Sequence, residues 1–123
     1  MVWKFSDGRP VYVQIMEQIE TAVLSGIFPP GSKIPSVREL AADAKVNPNT
    51  MQRALQELEQ STLLVTQGTL GRFVTQDAVV IDAAKNKLLE TLTQECIKKY
   101  ASLGITPEQA ANLLLKFSGQ KEG

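Results

Sequence analysis

The chain has 123 residues, 43% of them apolar, and thirteen basic side chains balance thirteen acidic ones. That length suits one ordinary domain, or a small domain with an appendage, and the apolar fraction excludes a disordered chain. No apolar run approaches the roughly 20 residues that cross a bilayer, and the start lacks the basic-then-apolar pattern of a secretion signal, so a cytoplasmic protein is expected.

Trp3-Lys4-Phe5 alternates and predicts a short strand. Arg9-Pro10 opens a helix whose apolar positions Val11, Ile15, Ile19, Ala22 and Val23 recur at three- and four-residue spacing. Gly26 is the expected left-handed cap, and Pro29-Pro30-Gly31 the turn that follows. Ser36 and Glu39 then form a capping box before a second helix over residues 37–44. The Ser36 hydroxyl accepts an amide proton from the third helical position, and Glu39 reaches back to the Ser36 amide. Asn47 caps a third helix over residues 48–60, with Pro48 at the first position, where a missing N–H costs nothing. Met51, Ala54, Leu55 and Leu58 supply its inner face. Residues 63–67 and 72–76 read as strands, joined by a loop over 68–71 that begins and ends in glycine.

Beyond residues 76–77 the pattern changes. A long helix over residues 79–103 carries Ile81, Ala84, Leu88, Leu92, Cys96 and Tyr100 in one stripe, flanked by Leu89 and Ile97. Gly104 closes it, and Thr106-Pro107-Glu108-Gln109 opens a last helix with a second capping box. That helix is crowded with Ala110, Ala111, Leu113, Leu114, Leu115 and Phe117, and residues 119–123 are expected to fray. The fold class is thus an α+β winged helix-turn-helix domain over residues 1–76, then a small all-α two-helix segment over residues 77–123.

With Met51, Leu55 and Leu58 turned inward, Asn49, Thr50, Gln52, Arg53 and Gln56 must face outward. Such side chains read base edges or hold phosphates, although a solvated polar face would have similar composition. Lys and Glu, the usual solubilising residues, are scarce there. Arg38 lies in the first turn of the second helix, where the helix dipole disfavours a cation. It is either a DNA contact or a surface arginine paired with Glu39 or Asp43. Arg72, next to Gly71, either enters a minor groove or is a solvated strand arginine. The balanced overall charge argues against strong non-specific binding, but residues 33–56 hold four basic side chains against two acidic ones.

The run Gly31-Ser32-Lys33-Ile34-Pro35-Ser36-Val37-Arg38-Glu39-Leu40-Ala41 is followed by Val46-Asn47-Pro48-Asn49-Thr50-Met51-Gln52-Arg53-Ala54-Leu55, Leu58-Glu59 and Gly71-Arg72-Phe73-Val74. Together they resemble the DNA-binding domain of the GntR family of bacterial transcription regulators. The Asn-Pro-Asn-Thr form and the short C-terminal part resemble its YtrA subfamily. The resemblance implies that Ser36, Arg38, Asn49, Thr50, Gln52 and Arg53 face DNA, with residues 68–72 as the wing. With Asn47 at the cap and Gly71 and Arg72 at the wing, these make up the candidate DNA-binding set. Three departures stand out: Pro48 where many members carry Arg, Ser61-Thr62 where Glu-Gly is usual, and Thr69 at the first glycine position of the wing.

Two helices alone hide too little surface to make a core, so the stripe after residue 77 needs cover. Either its own winged helix or a second copy of the chain supplies it. The second reading makes Leu88, Leu89, Leu92, Cys96, Ile97, Tyr100, Leu114 and Phe117 a dimer surface, and an inverted-repeat operator follows from twofold pairing. Cys96 otherwise reads as a small buried apolar side chain. The expected function is sequence-specific transcription regulation by a homodimeric repressor on a double-stranded DNA operator. A transporter operon is the target class that the YtrA-like resemblance implies. The alternative is a winged-helix protein-interaction module. Histidine is absent, one cysteine cannot build a zinc cage, and no convergent carboxylate pair or phosphate-binding glycine loop is present, so neither an enzyme nor a bound metal or cofactor is expected. Two helices enclose no drug-sized cavity in one subunit, so an effector, of unknown identity, would need the dimer interface or the space between domains.

Overall fold

A computed structural model describes residues 1–119, so most of the terminal stretch expected to fray, Gln120 onward, lies outside the described residues. Helices α1 (Val11–Leu24), α2 (Val37–Ala44) and α3 (Pro48–Gln60) precede a hairpin of β1 (Leu64–Thr66) and β2 (Arg72–Val74). Helices α4 (Ala78–Ala101) and α5 (Pro107–Ser118) complete the order. Among the described residues no helix is long and apolar enough to cross a membrane.

The chain divides into two compact units, Met1–Lys85 and Asn86 onward, so the division falls inside α4 rather than at residue 76. The first unit has one core. Ile15, Ile19 and Val23 of α1, Leu40, Ala41 and Ala44 of α2, and Leu63, Leu64 and Val74 of the hairpin region close around α3. From α3, Met51, Ala54 and Leu55 are wholly buried and Leu58 nearly so. Burying a Leu or Met side chain stabilises by about 1.5–3 kcal/mol, so this face holds α3 firmly against the unit. Val80, Ile81 and Ala84, at the start of α4, pack against the same core.

The predicted strand at Trp3-Lys4-Phe5 does not form; two glutamines take the place of a partner strand. Gln18 accepts from the Lys4 amide at 2.9 Å and donates to the Lys4 carbonyl at 2.7 Å. Gln14, one turn earlier, accepts from the Ser6 amide and donates to its carbonyl, both at 2.9 Å, and also reaches the Arg9 carbonyl. A primary amide carries a donor and an acceptor side by side, as a strand residue does. Gln14 is therefore buried and satisfied, while Val11, placed on the inner face by the sequence pattern, is exposed at the first turn.

Both caps of the helix-turn-helix form as expected. Ser36 Oγ accepts from the Glu39 amide and Glu39 accepts from the Ser36 amide, each at 3.2 Å. Asn47 Oδ1 accepts from the Asn49 amide at 2.7 Å. Between the helices Lys45 turns the chain with a left-handed φ of 58°. The strands are shorter than predicted, pairing antiparallel with Leu64 opposite Val74 and Thr66 opposite Arg72. On its other edge β2 meets residues 31–34: the Gly31 amide donates to Val74 and the Ile34 amide to Arg72. Residues 68–70 form one turn of 3-10 helix, and Gly71 returns the chain to β2 with a φ of 119°.

In the second unit the Thr106–Gln109 capping box forms and Gly104 takes the left-handed turn. Little else is covered. Of α5 only Ala110 is buried, and no residue of α4 is. Cys96 is partly exposed rather than buried within the chain, in keeping with a helix that has no buried residue.

The usual glycine after the third helix is replaced by Thr62, and Thr62 adopts the left-handed backbone all the same, at φ 66°. A β-branched residue there is strained by about 1–3 kcal/mol, part of which glycine returns as entropy lost on folding. Thr62→Gly should raise stability by about 1 kcal/mol, seen as a higher urea midpoint at an unchanged slope. A lower midpoint would show that Thr62 is not strained.

Candidate nucleic-acid interface

The α2 N-terminus and the hairpin tip face each other across a groove of about 830 Å³, open to solvent. Ser36, Arg38 and Glu39 line one side, and Thr66, Thr69, Leu70, Gly71 and Arg72 the other, with Lys33 at the join. Gly71 lets Lys33 cross there, since a Cβ at residue 71 would meet Lys33 Cε at 2.9 Å.

Arg38 is exposed, and its two possible acidic partners are otherwise engaged. Glu39 caps the Ser36 amide, and Asp43 accepts from Trp3 Nε1 at 2.8 Å. Among the described residues Arg38 makes no ion pair, which leaves a full guanidinium facing the groove. Ser36 Oγ accepts from the Glu39 amide, and its hydroxyl also bonds the Glu39 carboxyl. The Ser36 hydrogen bonds, backbone first, hold the Glu39 carboxyl below its ordinary value, with a lesser contribution from Lys33.

Along α3, Asn49 and Arg53 are exposed while Thr50 and Gln52 are half-buried. Asn47 is exposed, its side-chain oxygen committed to the cap. The Arg53 guanidinium lies over the Tyr12 ring, 3.7 Å from its centroid, which fixes the cation while leaving its N–H edges open. Arg72 does not project from the hairpin tip. Its Nε donates to Glu59 Oε1 of α3, and its Nη2 reaches Gln52 Oε1 at 3.4 Å. Glu59 Oε2 in turn accepts from Thr66 Oγ1 at 2.6 Å. The hairpin is thus tied by its side chains to α3.

Tyr12, Glu59, Thr66 and Lys33 join the site although sequence reasoning did not single them out. Glu59 carried a signal, since it follows Gln52 by seven residues and two helical turns put both on one face. The pairing of Tyr12 with Arg53 had none, because it depends on how α1 crosses α3. The dimerisation set lies apart, in the second unit. There Leu89, Leu92, Ile97, Leu114 and Phe117 are exposed, and Leu88, Cys96 and Tyr100 are partly so.

Residues 11–74, which hold α1 to α3 and the whole hairpin, match the family model of bacterial regulatory proteins of the gntR family. The chain belongs to the GntR family. A Bacillus subtilis member, the HTH-type transcriptional repressor YtrA, is 32% identical over 118 residues, spanning 94% of this chain and 90% of that protein. The solved structure of a GntR family transcriptional regulator from Listeria monocytogenes superposes with a TM-score of 0.84 at 37% identity, covering 91% of this chain and 98% of that one. The DNA-binding domain of AraR, solved in complex with operator ORE1, matches with a TM-score of 0.53 at 27% identity over 61% of this chain and 94% of that one. GntR members are DNA-binding transcription regulators and not enzymes, and the whole-length likeness to YtrA agrees with the subfamily read from the sequence.

Burial works against ionisation of Glu59, but the hydrogen bonds from Thr66 and Arg72, and then the Arg72 charge, outweigh it. They hold the carboxyl below its ordinary 4.5, so its stabilisation is full above that value and is lost as pH falls through the lowered folded pKa. Glu59→Gln should therefore be less stable than the unaltered chain near neutral pH, with the gap closing below pH 4.5. Thermal melts across that range test this; a gap independent of pH would refute it.

Proposed function

We propose that this GntR member is a homodimeric, sequence-specific repressor that binds an inverted-repeat operator through α3, the α2 N-terminus and the wing. The observation that carries the reading is the unpaired Arg38 in a groove shared with the wing, beside a reading helix whose Arg53 and Gln52 are held by Tyr12 and Arg72. Ser36, Arg38, Asn47, Asn49, Thr50, Gln52, Arg53 and Gly71 form the proposed contact set, and Arg72, held on Glu59, stands behind Gln52. Arginines at groove distance supply bidentate base or phosphate contacts. The target class, by likeness to YtrA alone, is a transporter operon.

Pairing supplies what one neutral chain lacks. Two linked half-sites convert the second binding event into an intramolecular one, so modest affinity per domain becomes useful affinity for the dimer. The exposed leucines of α4 and α5, with Ile97 and Phe117, support a second copy as the cover.

Selection of duplexes from a randomised pool by the purified chain tests DNA binding and symmetry together. An enriched inverted repeat, bound less tightly as salt rises, is expected. No enrichment at low salt would favour a protein-interaction module instead. Arg38→Ala and Arg53→Ala should each weaken binding to the selected site by about 1–3 kcal/mol while leaving the fold intact. Unaltered affinity in both would remove them from the interface. A chain ending at Lys85, which retains the first core intact, should sediment as a monomer. A dimer surviving that truncation would refute the role given to the second unit.

A further inference from the structure

The ties between wing and reading helix carry a consequence for base choice. A guanidinium has only donors, so the Gln52 atom facing Arg72 Nη2 at 3.4 Å is the carbonyl oxygen. The amino group of Gln52 therefore points away from the wing. Arg72 is itself held: its Nε is on Glu59, whose other oxygen takes the Thr66 hydroxyl at 2.6 Å, and Thr66 sits opposite Arg72 in the hairpin. The Arg72 side chain is 19% exposed and that of Glu59 27%, so the chain of bonds is largely shielded from competing water.

We propose that Arg72 acts through Gln52 as a positioning residue, setting which base edge Gln52 reads in the major groove. This rests on the DNA-binding function proposed above. An unrestrained glutamine suits adenine, because its oxygen and amino group together match the N6 donor and N7 acceptor of that base. Gln52, with its oxygen drawn to the wing, presents a lone donor. A lone donor is fully met by guanine (N7 and O6) or thymine (O4), whereas adenine offers it N7 alone and leaves the N6 amino group unanswered, and cytosine offers only an amino group. The operator position read by Gln52 in each half-site is accordingly guanine or thymine. The wing contributes specificity here without touching that base.

Pool selection with four proteins tests this: the unaltered chain, Gln52→Ala, Arg72→Met and Glu59→Gln. Gln52→Ala locates the position, by loss of preference at one base pair per half-site. The unaltered chain should select guanine or thymine there. In Arg72→Met, adenine at that position should rise about tenfold relative to guanine and thymine, within the range a bidentate pair supplies. Glu59→Gln, which loosens the guanidinium without removing it, should move the same position in the same direction, and it serves if Arg72→Met does not fold. Adenine selected by the unaltered chain would overturn the inference. So would a uniform loss of affinity in Arg72→Met with base preference unchanged, since that would make Arg72 a phosphate contact. If the unaltered chain enriches no duplex, DNA binding itself falls. Enrichment without the shift overturns only the role of Arg72.

Discussion

Everything in the first unit depends on the burial of one face of α3. Met51, Ala54, Leu55 and Leu58 are sealed between α1, α2 and the hairpin, which leaves the opposite face no freedom to rotate. A helix held so tightly on one side presents Asn49, Gln52 and Arg53 in a fixed arc on the other. Reading a groove needs that rigidity, because base-edge hydrogen bonds tolerate little displacement. The polar face is thus positioned by an apolar one that never meets DNA.

Around this helix, polar side chains do work usually given to backbone. Gln14 and Gln18 bond residues 4–6 as a neighbouring strand would, and Trp3 is anchored to Asp43 through its indole N–H. The same Asp43 oxygen lies 3.7 Å from the terminal amine, so this carboxylate ties the start of the chain to α2. Glu59 plays the corresponding part on the other side, engaging Arg72 and Thr66 and so joining the three-residue strands of a very short hairpin to the helix. A wing this short has little ladder of its own; Leu64 and Val74 seat its base on the core, and the ion pair ties its outer part to α3.

The second unit follows a different logic. Its capping box and glycine turn define two good helices, yet Leu92, Leu114, Leu115 and Phe117 stay in solvent. Local signals make helices; only a partner surface makes a core.

Much was legible in the sequence because it was local. The Ser36–Glu39 and Thr106–Gln109 boxes, the Asn47 cap with Pro48, the inner face of α3 and the GntR motif are all written within a few residues, where capping chemistry and helical spacing act. The strand at residues 3–5 and the inward Val11 were misread because Gln14 and Gln18 answer to a segment folded back over α1, not to their neighbours in the chain. Caps, periodicity and motif thus determined the helices, the family and the outward polar face of α3. Tertiary structure decided which of the candidate side chains are free. Arg38 makes no ion pair among the described residues, Arg53 is steadied by a tyrosine of α1, and Arg72 is drawn from the wing tip onto Glu59. Pairings between charges distant in sequence are settled by how helices cross, which no local pattern encodes.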